Sequence, residues 1–225
     1  MEKMIRKHFS RELEKIKKLI LSLGAKVEEQ VRMATQAVET HDAELAQKII
    51  KSDYAVDEME VEIEEECLKV LALHQPVAVD LRFLIAVIKI NNDLERIGDQ
   101  AVNIAERVHV IAKRDPSDFF FDYSSMGEKA QKMLKMSLDA LVNMDYDQAF
   151  EVVMMDDAVD QIKSDAYDRI KKAMGDHPGK LGELINLLLI SRHLERLADH
   201  ATNIAEEVIY LIEGEIVRHA AYNHK

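Results

Sequence analysis

LERIGDQAVNIAE at residues 94–106 returns as LERLADHATNIAE at residues 194–206, with nine of the thirteen positions identical. The agreement extends upstream at a slightly different offset, where Asp42, Ala46, Asp53 and Asp57 match Asp145, Ala149, Asp156 and Asp160. A repeat of this length marks a tandem duplication, and each copy has to be a supersecondary unit that folds in the same way as the other. Apolar residues set the type of unit. Ile5, Phe9, Leu13, Ile16, Ile20, Leu23, Val27, Val31, Ala34 and Val38 recur every three or four positions, so the spacing predicts a helix over 3–39 with one buried stripe. Asp42 is placed to cap a second helix carrying Leu45, Ile49, Val56, Met59, Ile63, Leu68 and Leu71. Pro76 suits the opening turn of a third helix, because its missing N–H has no intrahelical partner there. That helix places Phe83, Ile90, Leu94, Ile97, Ala101, Ile104 and Val108 in the core and ends before Lys113. Three long helices with short turns form an antiparallel bundle, and the duplication makes two of them. The expected fold is all-α: six helices in tandem three-helix bundles related by a pseudo-twofold axis, with repeats at 1–115 and 124–215, a connector at 116–123 and a tail at 216–225.

Composition agrees with helices from end to end, since 7 Gly and 3 Pro in 225 residues leave little turn material for a β or α/β chain. With 30 Lys and Arg against 42 Asp and Glu, the formal charge is −12. Such a surface repels phosphate backbones and anionic membranes, which argues against a nucleic-acid partner. Apolar runs such as Phe83 to Ile88 fall far short of the ~20 residues that span a bilayer, so the chain is not expected to be integral to a membrane, although peripheral docking stays open. The lone Cys67 has no disulfide partner, and the N-terminus lacks the apolar core of a signal peptide, so the expected location is the cytoplasm. The connector holds Phe119, Phe120, Phe121 and Tyr123, which is too apolar for a free linker. It reads as a segment packed between the bundles, with a partner-docking patch as the alternative.

A bundle needs only its apolar stripe to be duplicated, so polar identities require another cause. Glu95, Asp99 and Asn103 lie at i, i+4, i+8 on one helical face, as do Glu195, Asp199 and Asn203. The turn near residue 75 brings the level of Glu95 to about residue 55 on the antiparallel neighbour, which Asp53 and Asp57 straddle. The turn near His177 likewise sets Asp156 and Asp160 opposite Glu195. Each half therefore gathers four carboxylates that repel one another unless positive charge offsets them. One reading is a metal site in each half, with hard oxygen ligands suited to iron, manganese, magnesium or calcium. The other is a solvated acidic edge with Arg96, Arg196, Arg82 or Lys89 as counterions. Gly98 and Ala198 leave space that either the carboxylates or close helix packing could require.

These two motifs, together with QPVAVDLR at 75–82, the opening HFSREL at 8–13 and EVIYL at 207–211, resemble the PhoU family of phosphate-signalling regulators over nearly the whole chain. The resemblance implies a cytoplasmic, non-enzymatic regulator of two three-helix repeats. Such a protein acts with the ATPase of an ABC phosphate transporter and a phosphate-sensing histidine kinase, and represses phosphate-starvation genes and phosphate uptake when phosphate is plentiful. It also implies metal binding through paired acidic motifs, which carry over to Asp53/Asp57, Glu95/Asp99, Asp156/Asp160 and Glu195/Asp199. The second half reads HPGKLGE where the first has QPVAVDLR, so Asp80 and Arg82 have no counterparts and the two sites need not be equivalent. The duplication also allows a homodimer.

Other motifs carry less. Glu106 to His109 fits one EXXH of a di-iron bundle, but Glu206 has no such histidine. No nucleotide-binding glycine loop is present, and no histidine pairs obviously with a Ser or Cys nucleophile. Cys67 beside Glu64, Glu65 and Glu66 reads as structural. The alternative to a regulator is a carboxylate-bridged metal-binding or metal-storage protein.

Overall fold

The computed structural model describes residues 2–113 and 121–215, with side chains from residue 8 onward. Helix α1 runs Glu2–Thr40 and buries Ile16, Ile20, Leu23, Val27, Val31 and Ala34 along one stripe, as the periodicity requires. It stops at His41, which takes the left-handed conformation at φ 51°. Asp42 then accepts hydrogen bonds from the Glu44 and Leu45 amides, each at 2.9 Å, and opens α2 (Ala43–Ser52). The second repeat ends its first helix the same way. Following α5 (Ser124–Asn143), Met144 turns left-handed at φ 52°, and Asp145 accepts from the Gln148 amide at 3.0 Å to open α6 (Tyr146–Asp176).

The expected second helix is divided. Asp53 keeps helical dihedrals, but its carbonyl accepts from the Val56 amide at 2.7 Å in a tightened turn, which separates α2 from α3 (Tyr54–His74). The six expected helices thus appear as seven segments, with no strand among the described residues. Pro76 also differs from expectation. α4 (Ala78–Ile111) starts two residues later, because Gln75 closes α3 in the left-handed region and Val77 is extended. Pro178 does take the first position of a short 3-10 turn, Pro178–Lys180, which leads into α7 (Leu181–Glu213).

α1, α2 and α3 pack around α4, while α5 and α6 pack around α7. The repeats meet through α4 against α7 and α1 against α5, and neither α1–α7 nor α4–α5 packs together. Pairing α1 with α5 and α4 with α7, each helix against its own equivalent, is consistent with a twofold exchange of the halves. The detail follows the same rule. Gly24 faces Leu138 and Gly127 faces Thr35, two contacts that exchange when the halves are superposed. Across α4 and α7, His200 Nδ1 lies 2.9 Å from Asp93 and His193 Nδ1 lies 2.9 Å from Gln100, again an exchanging pair.

Of the aromatic connector, Phe119 and Phe120 lie outside the described residues, as does the tail at 216–225. Phe121 and Tyr123 are buried, with ring centroids 4.7 Å apart. The Tyr123 hydroxyl donates to the Leu187 carbonyl, and Arg169 lies over the Phe121 ring. Both rings therefore pack on α6 and α7 of the second repeat and offer no free docking surface. Gly98 is explained by packing, since a β-carbon there would lie 3.2 Å from Gln30 Oε1 and 3.3 Å from Val56.

Candidate functional site: two carboxylate clusters

α3 and α4 bring the first cluster together. Burial, followed by the charges of Asp57 and Asp99, raises the Asp53 carboxyl above its ordinary range. Glu95 is raised by burial and then by Asp99, with Arg96 opposing and Asp57 and Glu60 adding to the rise. Asp99 is raised by burial and by Asp57 against the pull of Arg96 and His200. Arg96 is the nearby cation, 3.5 Å from both Glu95 and Asp99, but it is largely exposed. Glu95 Oε2 is buried and accepts no hydrogen bond. Asn103 sits half-buried one turn beyond Asp99.

The second cluster lies between α6 and α7. Burial raises Asp156, with Asp160 and Glu195 adding to the effect, although the Thr202 hydroxyl donates to it at 3.2 Å. Asp199 is pushed up to about 6 by burial and then by Glu195, Asp156 and Asp160. Lys163 answers this charge, donating to Glu195 and lying 3.6 Å from Asp160. Asp160, Lys163, Glu195, Arg196 and Asp199 line an open cleft of about 790 Å³. Asn203 turns away from these carboxylates and donates to Asp93 of α4 at 3.2 Å.

Of the four counterions named from the sequence, Arg96 occupies that role in the first cluster, and Arg196 lines the cleft of the second. Lys89 instead reaches Glu207, with both oxygens at 3.2 Å, and Arg82 lies over Tyr210. Sequence reasoning missed Lys163, although the signal was present: by the offset that aligns Asp57 with Asp160, Lys163 takes the place of Glu60. The first cluster has a fifth acid where the second has a lysine, and this makes the two sites electrostatically unequal.

The donor set is all oxygen and carries excess negative charge, which suits a hard cation. It does not form a closed cage, because no three of these carboxylates place oxygens within 4.8 Å of one another. Cys67 is fully buried, and burial together with Glu64 and Glu66 pushes its thiol up to about 12, so it is not a nucleophile. The buried Nδ1 of His109 has no hydrogen-bond partner, while Glu106 pairs with its neighbour Arg107 at 2.8 Å.

Two three-helix units joined through their motif helices, each with facing acidic pairs, define a class of duplicated all-α proteins. The model of the PhoU domain matches residues 20–108 and again 123–208, and the chain belongs to the PhoU family. It is 37% identical over 95% of its length to the phosphate-specific transport system accessory protein PhoU homolog of Clostridium acetobutylicum, of which it covers 98%. It is 38% identical to the homolog of the same description from Pseudomonas aeruginosa, across 96% of this chain and 89% of that one. The crystal structure of PhoU from Pseudomonas aeruginosa superposes with a TM-score of 0.89 at 38% identity, covering 92% of this chain and all of that one. The phosphate transport system regulatory protein PhoU from Streptococcus pneumoniae gives 0.82 at 31% identity, across 93% of this chain and 99% of that one. No described helix is long and apolar enough to cross a membrane.

Proposed function

We propose that this protein is a cytoplasmic, non-enzymatic regulator of phosphate homeostasis, restraining phosphate uptake and the phosphate-starvation response. It acts with the ATPase of an ABC phosphate transporter and a phosphate-sensing histidine kinase. The observation that carries this reading is similarity over nearly the full chain to proteins described as accessory to phosphate-specific transport. A surface suited to docking supports it. Leu81 and Ile85 on α4 are exposed at 40% and 37%, and their duplicates Leu181 and Ile185 on α7 at 43% and 47%. Apolar side chains left in water at matching positions of both repeats are surface that partner proteins can cover, or a second copy in a homodimer. Deleting the gene should switch on phosphate-starvation genes in phosphate-rich medium, and only while the sensor kinase is intact. Silent genes in the deletion strain would overturn the assignment.

The carboxylate clusters serve in this reading as sites for iron, manganese, magnesium or calcium. The raised carboxyls and the buried Glu95 Oε2, which accepts no hydrogen bond and among the described residues has only the exposed Arg96 as an ion-pair partner at 3.5 Å, support it, since a bound cation stabilises the charged forms that burial and mutual repulsion disfavour. Metal binding at these clusters would also serve the storage alternative, and the deletion phenotype separates the two.

A further inference from the structure

The geometry points to a third metal site, distant from the carboxylate clusters, in which His8, Glu12 and His74 bind a divalent transition ion such as Zn²⁺. His8 and Glu12 are four residues apart on α1, so they share a face. His74 is the last residue of α3, held in place where Gln75 closes that helix with a hydrogen bond to the Leu71 carbonyl. Its ring packs on Phe9 with centroids 5.0 Å apart. His74 Nε2 lies 2.5 Å from Glu12 Oε2, and His8 Nδ1 lies 3.5 Å from the same oxygen. All three ligand atoms fall within 4.8 Å of one another, the only such group of His, Cys, Asp and Glu among the described residues.

Spacing and chemistry fit an ion. Bonds of about 2.0–2.2 Å to imidazole nitrogen and carboxylate oxygen, in tetrahedral geometry, put neighbouring ligand atoms roughly 3.3 Å apart. The two edges from Glu12, 2.5 and 3.5 Å, bracket that value. A hydrogen bond from His74 to Glu12 accounts for one of the imidazoles, but it leaves His8 converging at a distance too long for a bond of its own. Two imidazoles and one carboxylate favour Zn²⁺, Co²⁺ or Fe²⁺ over Mg²⁺ or Ca²⁺. Glu12 and His74 are sheltered at 11% and 15% side-chain exposure, while His8 at 69% gives an ion and its fourth ligand, water, a path from solvent. The site stands about 25 Å along α3 from Asp57, taking 1.5 Å per residue. It has no duplicate, because α5 begins at Ser124, which corresponds to residue 21 of α1; His8 and Glu12 lie on the extra turns of α1.

Such an ion would tie the start of α1 to the end of α3. The test is Zn²⁺ binding to the full chain after chelator treatment and dialysis, read by calorimetry and by the visible spectrum of the Co²⁺ form. Wild type and an Asp99→Asn/Asp199→Asn double variant should each take one tightly bound Zn²⁺ with nitrogen-ligated tetrahedral Co²⁺ bands. His8→Ala should bind at least tenfold more weakly and lose those bands. His8 is exposed, so this variant is expected to fold, and circular dichroism checks that it does; His74→Gln should behave alike. Unchanged Zn²⁺ affinity and an unchanged Co²⁺ spectrum in His8→Ala would overturn the proposal, as would loss of this binding in the double variant alone.

Discussion

Replacing Asp199 with Asn should stabilise the metal-free protein at neutral pH, although it removes a charge that the duplication retained. The carboxyl ordinarily titrates at 3.8 and is held at about 6 here, first by burial and then by Glu195, Asp156 and Asp160, with Lys163 opposing. Between those values the folded chain binds a proton that the unfolded chain releases, so stability falls as pH rises through the window and the whole deficit is present above about 6. At ~1.4 kcal/mol per pH unit the gap corresponds to about 3 kcal/mol. Solvent in the adjoining cleft screens the charges and reduces the measurable part to about 1–2 kcal/mol. Asparagine keeps the shape and drops the charge, and Lys163 keeps Glu195 and Asp160 as partners. Urea denaturation in chelator at pH 7.5 should therefore show Asp199→Asn more stable by about 1–2 kcal/mol, which corresponds to a melting temperature higher by about 2–8 °C. At pH 4 the difference should shrink to a few tenths of a kcal/mol, because the wild-type carboxyl is then protonated. A variant less stable than wild type at pH 7.5, or one with an equal gain at both pH values, would show that the cluster is not a source of uncompensated repulsion. Adding Mn²⁺ should reverse the order if the cluster holds metal, since only wild type keeps the full ligand set.

Two further perturbations test the fold. Gly127→Ala would put a β-carbon 2.2 Å from Thr35 Cγ2 where α1 and α5 cross, so overpacking should outweigh the helical gain and cost about 1–2 kcal/mol. Thr35→Ser, which removes that methyl and keeps the hydroxyl bonded to the Val31 carbonyl, should restore much of it in the double variant, and strict additivity of the two changes would refute the contact. Cys67, fully buried with its thiol pushed up to about 12, should resist a thiol reagent at pH 8 until urea unfolds the chain, and prompt labelling of the native protein would contradict its place in the core.

The helices, the duplication and the approach of the carboxylates within each half were legible from residue spacing alone. Helical periodicity, the caps at Asp42 and Asp145 and the level of Glu95 opposite Asp53 and Asp57 are short-range consequences of 3.6 residues per turn and short antiparallel connections. Periodicity could not show which helices of one repeat would face the other. That choice depends on complementary surfaces, and only the tertiary structure reveals that α4 meets α7 and α1 meets α5, with His200 on Asp93 and His193 on Gln100. For the same reason the spacing could not choose among the candidate counterions: Lys89 and Arg82 lie on the helix that carries Glu95, but their side chains reach across to Glu207 and Tyr210 of α7. The break at Asp53 and the exclusion of Pro76 from α4 depend on dihedrals that the packed turns impose and residue preferences do not specify. His8, Glu12 and His74 converge because α1 runs past the end of α3, and a separation of 62 residues between Glu12 and His74 leaves no local pattern to read.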